Sequence, residues 1–257
     1  MERKGAATSS LSLFALLAVW YAVALVSDPS VFPGPGLVFD AFIVEFQSGE
    51  LLTHLAATLG RVILAFGLAW IFGGLIGFVL GRFQGLDNAL WVWVSTFLNM
   101  PALVVMVVCY LALGMTETAA VIAVAVNKAP LIAVNLRDGV RQLDPKYDEF
   151  AKTYGLSLWQ TFRYVWLPQL EPFLFTALRT GLSLTWKVIL VVELLGRSSG
   201  VGFQIHLYFQ LFQVDVIFVY ALSFILVMQL IEWGCVRPVE KYVQRWRVDG
   251  QLARMQI

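Results

Sequence analysis

The sequence predicts an all-α integral membrane protein with about six transmembrane helices, and three observations carry that expectation. Of its 257 residues 59% are hydrophobic and only 14% charged, against roughly 25% charged in an average soluble domain. The deficit is concentrated: no Asp, Glu, Lys or Arg occurs in 5–27, 62–81, 88–116 or 216–231. A bilayer core asks for about 20 mostly apolar residues per helix, and the first three runs meet that length. Basic residues, lastly, alternate between loops. With the N-terminus inside, thirteen Lys and Arg fall on inner segments, and the outer loops carry only Arg197. Such a bias sets orientation, so both termini are expected on the cytoplasmic side.

The first span is expected over 11–27. Arg3 and Lys4 precede it, and Ala22-Val23-Ala24 has the small-residue form of a signal-peptidase site. The run is longer than a usual signal core, so it is read as a retained helix. Ser27-Asp28-Pro29 and Phe32-Pro33-Gly34-Pro35-Gly36 are turn formers that end it. Leu37 to Phe46 spaces its apolar residues helically, which predicts a short interfacial helix. The second span covers 58–81, where Gly73, Gly74, Gly77 and Gly81 suit close helix packing. Spans three and four, at 90–113 and 117–136, contain Asn99-Met100-Pro101 and Asn127-Lys128-Ala129-Pro130 and should break or kink there. The fifth, 173–195, holds Arg179 and Lys187, and the sixth covers 215–236. With no internal repeat or low-complexity linker, residues 1–257 read as a single transmembrane domain. Cys109 and Cys235 read as packing residues, without metal or disulfide spacing. His54 and His206 are solitary and read as surface or interfacial residues, so no metal site is expected.

Between the fourth and fifth spans lies a polar segment, Tyr147 to Pro168. Asp144 can cap a helix and Pro145 is tolerated in its first turn. A helix over 146–154, a bend at Gly155 and a second short helix over 156–163, ended by Pro168, are expected. Tyr147, Phe150, Leu156, Leu158 and Trp159 supply apolar surface too large to leave in water. On the residues alone the unit is either a knob for a protein groove or an amphipathic loop anchored on lipid through Trp159 and Trp166.

The segment also reads E-x-A-x3-G-x9-V-x-L-P, carried by Glu149, Ala151, Gly155, Val165, Leu167 and Pro168. It resembles the EAA loop of permease subunits in ABC importers, with Phe150 where the family prefers Ala and Val165 for Ile. The resemblance implies a type I ABC importer permease, in which the loop at about 144–168 is the coupling element that docks on a cytoplasmic ATPase. On that footing Glu149 orients the loop by hydrogen bond or salt bridge, within the chain or across the interface. Ala151 completes the pattern and Gly155 is the bend. Tyr154, Gly155, Leu156, Ser157, Leu158 and Trp159 are the expected ATPase contact. From Ser30 onward the chain resembles the nitrate/sulfonate/taurine branch, in the proline-rich entry and the amphipathic helix after it. Trp186 and Glu193 match the W-x6-E spacing of that branch's outer-gate region.

Charges inside spans cost about 2.5–3.5 kcal/mol each at mid-helix, so Lys128, Lys187 and Glu193 should face the bundle interior, a cavity or one another. Lys187 and Glu193 do not face each other along one straight helix, so each is expected to pair elsewhere. Two readings stand. Lys187, with Lys128, can supply positive potential along a pathway for an anion, with Asn99, Asn127, Ser183 and Glu193 on the same path. Alternatively, Lys128 and Lys187 pair with Glu117 and Glu193 as structural locks, and the two asparagines hold helices together.

The resemblance implies the permease subunit of an ATP-driven, binding-protein-dependent importer in the bacterial inner membrane, forming the pathway for a small anionic or sulfonate-like solute. Its implied partners are a second permease copy as a homodimer, two cytoplasmic ABC ATPase subunits, a periplasmic substrate-binding protein and membrane lipid, with no nucleic acid. ATP and Mg would sit on the partner ATPase. This chain has no G-x4-G-K-[ST] sequence, and neither a bound cofactor nor a catalytic residue is expected. The alternative is an ion-coupled secondary transporter or channel, which asks for intramembrane carboxylates or an inverted repeat; Glu193 is the only clear candidate. An intramembrane hydrolase would lack a histidine base for Ser183 or Ser223.

Overall fold

The computed structural model describes residues 2–240 and 243, with side chains described at 12 and from 14 onward. The basic tail residues Lys241, Arg245, Arg247 and Arg254 lie outside the described residues. Those described form helices and no strand: α1 (Glu2–Val26), α2 (Pro35–Gln47), α3 (Glu50–Arg82), α4 (Gln84–Asn99), α5 (Ala102–Leu113), α6 (Glu117–Arg141), α7 (Pro145–Thr153), α8 (Leu158–Thr161), α9 (Leu167–Gly196), α10 (Val201–Gln210) and α11 (Val214–Ile231). α3, α6 and the helical stretch Val214–Glu240 are each long and apolar enough to cross a membrane. Two further pairs of consecutive helices qualify when each pair is taken together, α4 with α5 and 158–196 with α10. In α1 the described apolar part, Phe14–Val26, is shorter than a full crossing. The chain divides into two compact units, 1–58 with 198–227 and 59–197 with 228–257.

In the first unit α1 stops at Val26, just before the turn formers that were expected to end it. Asp28 Oδ1 accepts from the Ser30 amide at 2.9 Å and the Ser30 hydroxyl at 2.7 Å, an Asx turn. α2 matches the predicted interfacial helix to within two residues at its start and one at its end. The expectation for His54 is corrected. Its side chain is buried, and Nδ1 accepts the Gly200 amide at 2.9 Å while Thr58 Oγ1 accepts the Val201 amide at 2.8 Å. The first amides of α10 have no partner inside their own helix; these two side chains satisfy them. Glu45 accepts from the hydroxyls of Tyr208 (3.1 Å) and Tyr220 (2.7 Å).

The second unit is built on α6, whose small residues Ala119, Ala120, Ala123 and Ala133 are fully or almost fully buried. A helix lined by alanine and glycine lets a neighbour's backbone come close. Gly73, Gly77 and Gly81 of α3 lie against the Ala129, Ala133 and Arg137–Val140 stretches of α6. The expected break at Asn99-Met100-Pro101 is present, with α4 and α5 meeting at 96°. The expected break at Pro130 is not: α6 runs unbroken from Glu117 to Arg141 with Pro130 inside it. Proline removes one N–H, and helices among other helices tolerate it when neighbours hold the backbone. Pro168, expected to end a helix, instead stands inside the helical stretch 158–196, directly after the π-helical turn Phe162–Trp166.

Candidate coupling site and intramembrane charges

The loop between α6 and α9 forms a compact helix–bend–helix unit. Asp144 caps α7, its Oδ1 accepting from the Lys146 amide at 2.9 Å, and Pro145 occupies the first turn. Gly155 has φ +64°, a left-handed conformation that side chains disfavour, and nothing would lie within 4 Å of a Cβ there. The backbone closes around it, the Leu156 amide donating to the Ala151 carbonyl at 2.9 Å. Ser157 then caps α8 in a reciprocal box: Gln160 N–H to Ser157 Oγ at 3.3 Å, and Ser157 N–H to Gln160 Oε1 at 2.8 Å. α8 is shorter than expected. After Thr161 the chain takes a π-helical turn, Phe162–Trp166, before α9.

These local choices decide what faces out. Ala151 is buried on the inner side of α7. Leu158 (83% exposed), Trp159 (70%) and Tyr154 (67%) stand out together with Tyr147 and Phe150. The Phe150 and Tyr154 rings are 4.2 Å apart, and Trp159 stacks on Phe162 at 6.0 Å. Leu156 is half-buried, and Ser157 is occupied as the cap. Glu149 is exposed; its carbonyl accepts the Thr153 hydroxyl, and its carboxylate forms no ion pair among the described residues. The acid that ties the loop down is its neighbour Asp148. Trp166 donates its indole N–H to Asp148 Oδ1 at 2.6 Å, and Arg82 lies 3.4 Å from Oδ2.

Glu193 is wholly buried, and its partner is Arg61 of α3, with Nη1 2.5 Å from Oε1. Arg61 also grips Glu117 bidentately, Nε to Oε2 at 2.8 Å and Nη2 to Oε1 at 2.6 Å. Arg197 reaches the same Glu117 at 2.6 Å and donates to the Met115 carbonyl at 2.5 Å. Two guanidiniums thus balance two carboxylates where α3, α6 and α9 meet, the fork geometry that lets arginine serve in buried pairs. The proposed lysine locks are therefore corrected: both glutamates are taken by arginines. Lys128 is half-buried and Lys187 exposed, and neither forms an ion pair among the described residues. Asn127 Nδ2 donates to the Met100 carbonyl at 3.4 Å, holding the α4–α5 break, and Asn99 caps back onto the Ser95 carbonyl. Ser183 is half-buried on α9. A groove of about 450 Å³ between α3, α4 and α6 is lined by apolar residues such as Phe72, Trp93 and Ile122, and none of the expected pathway residues lines it.

Sequence reasoning missed a second charged cluster. Asp87, buried in the first turn of α4, accepts from Arg137 at Nε and Nη2 and from Arg141 in the last turn of α6. The Arg137 guanidinium also sits 3.9 Å over the Trp91 ring. Its signal was an Asp at the start of a long uncharged run, opposite two arginines spaced one helical turn apart.

The chain thus combines several helices long and apolar enough to cross a membrane with a capped helix–bend–helix segment that leaves aromatic and apolar side chains exposed. The chain belongs to the family of binding-protein-dependent transport system inner membrane components, which it matches over residues 69–233. Among curated relatives it is 25% identical to the taurine transport system permease protein TauC of Escherichia coli, over 93% of this chain and 90% of that one. It is 30% identical to the riboflavin transport system permease protein RibX of Chloroflexus aurantiacus, again over 93% and 90%. It shares 29% identity with the aliphatic sulfonates permease SsuC of Escherichia coli, over 90% of this chain and 88% of that one. In fold it resembles a chain of the MetNI methionine ABC transporter in inward-facing conformation, with a TM-score of 0.65 and 19% identity over 76% of this chain and 98% of that one. The protein is a multi-pass permease component of an ABC transport system and not an enzyme.

Proposed function

We propose that this chain is the permease subunit of an ATP-driven importer, and that residues 144–168 are its coupling element for a cytoplasmic ATPase. The observation that carries the reading is the exposure of Leu158, Trp159 and Tyr154 around a left-handed Gly155, beside the exposed rings of Tyr147 and Phe150. Trp and Tyr are enriched among the residues that dominate binding energy at interfaces. The proposed assembly has two copies of this chain, each receiving one ATPase subunit, with a periplasmic binding protein delivering solute. Both termini face the cytoplasm. ATP binding draws the ATPases together, carries the coupling elements with them and exchanges inward-open for outward-open states, a shift driven by contacts that differ between the two. Glu149, exposed and in no ion pair among the described residues, is assigned to the ATPase interface.

Co-purification with the cognate ATPase tests this. Leu158→Asp should weaken association at least about tenfold, since losing a central anchor costs more than about 1.4 kcal/mol. Gly155→Pro should abolish coupled ATPase activity, because proline is locked near φ −65° where this site has +64°. Failure of the wild-type chain to associate would overturn the reading and bring the ion-coupled alternative forward.

The solute is proposed to be a small anion or sulfonate, supported by the relatives named for taurine and sulfonates and by the two lysines, Lys128 and Lys187, that lack acidic partners among the described residues. Lys187→Gln is expected to lower radiolabelled alkanesulfonate uptake into proteoliposomes several-fold while ATPase association stays intact. Unchanged uptake would remove Lys187 from the pathway.

A further inference from the structure

Three segments meet at one carboxylate on the cytoplasmic loop. Asp148 lies on α7, on the side of the helix where Ala151 is buried. Its Oδ1 takes the Trp166 indole N–H at 2.6 Å and its Oδ2 faces Arg82 at 3.4 Å. Arg82 ends α3, and its guanidinium lies over the Trp166 ring, 5.4 Å from the centroid. Phe78, also on α3, packs 5.9 Å from the Trp166 ring and 6.4 Å from Phe162. Trp166 itself closes the π-helical turn that leads into α9. One acid therefore joins the coupling helix, the end of α3 and the root of α9.

The loop's other tethers are weaker. The Asp144 amide donates to Gln169 Oε1 at 3.2 Å, a bond between neutral groups. A hydrogen bond to an ionised acceptor is roughly twice as strong as a neutral one, so the Trp166–Asp148 bond is the stiffest of these links. The exposed anchors Leu158 and Trp159 are not among its partners.

We propose that Asp148 is the positioning residue of the coupling loop: it latches α7 to α3 and to the root of α9, so that a displacement imposed on the loop is delivered to two spans. The inference rests on the coupling reading above. Without the latch, α7 docks as before and moves as a separate piece, and the spans do not follow.

Hydrogen exchange read by mass spectrometry on the reconstituted permease–ATPase complex, with and without ATP and vanadate, separates the two claims. In the wild type, the ATPase should protect the loop peptide covering 144–161, and nucleotide trapping should change exchange in the peptides covering 76–84 and 166–176. In Asp148→Ala the loop protection should persist and the response of the other two peptides should fall to the nucleotide-free level. Trp166→Phe, which keeps a ring against Phe78 but has no donor, should behave the same way, so the test survives if one variant folds poorly. Asp148→Asn keeps an acceptor for the indole and should restore part of the response, which a merely structural role would not predict. A loop unprotected in the wild type would sink the coupling reading itself. Loop protection together with a full span response in both variants, or with no span response in the wild type, would overturn the latch.

Discussion

Arg61→Leu is expected to destabilise the protein by about 3–5 kcal/mol, the range found when one partner of a buried ion pair is removed. Glu193 is wholly buried and 2.5 Å from the guanidinium, so the substitution leaves a carboxylate in the interior without that cation. The same change releases Glu117 from its bidentate grip. Arg61→Lys keeps the charge but not the planar fork, which spans two carboxylates at once, and should fall between the two. Thermal unfolding of the detergent-solubilised chain, followed by size-exclusion chromatography, is the measurement. A double variant, Arg61→Leu with Glu193→Gln, should recover part of the loss, because it also removes the buried negative charge that faced the guanidinium. If Arg61→Leu melts with the wild type, the cluster is not what joins α3, α6 and α9.

How much of this was legible beforehand depends on whether the cause is local. The start of α7 could be read from Asp144-Pro145 and its bend from Gly155, because a cap and a left-handed glycine act within a few residues. The break at Asn99-Met100-Pro101 was legible for the same reason. Two other prolines do not end their helices: α6 runs unbroken through Pro130, and Pro168 lies inside the helical stretch 158–196. Proline marks only a missing N–H and a fixed φ, and a helix carries both where its neighbours hold the backbone. Ion-pair partners were out of reach. Glu193 was correctly expected to pair with another helix, but its partner lies 132 residues away, and nothing in the sequence favoured Arg61 over Lys128 or Lys187. His54 failed likewise, since its partner is a backbone amide at Gly200. At the coupling loop, the pattern drew attention to Glu149, while the residue that makes the contacts is Asp148, just outside the pattern.

The largest packing effect is expected at Gly77. A Cβ there would run into the backbone of Ala133, 2.9 Å from its Cα and 3.0 Å from its carbonyl carbon, and closer still to its oxygen. Backbone inside a helix cannot rotate aside as a side chain can, so α3 and α6 must separate to admit any substituent. Overpacking a tight core commonly costs about 1–3 kcal/mol for added methylenes, and Gly77→Leu places a branched side chain against main chain. We expect it to abolish the monodisperse folded peak in detergent. Gly74 is the control. It is three residues away on the same helix, yet a Cβ there would meet only Leu136 Cδ2 at 3.9 Å, an ordinary contact. Gly74→Ala should therefore be neutral or gain up to about 1 kcal/mol from helix propensity. Both positions are glycines in one apolar run, and propensity alone would rank them together. Compared with the same substituent, Gly77→Ala against Gly74→Ala, a difference reports which face of α3 lies on α6; equal tolerance at both would mean that α3 and α6 do not pack through this face.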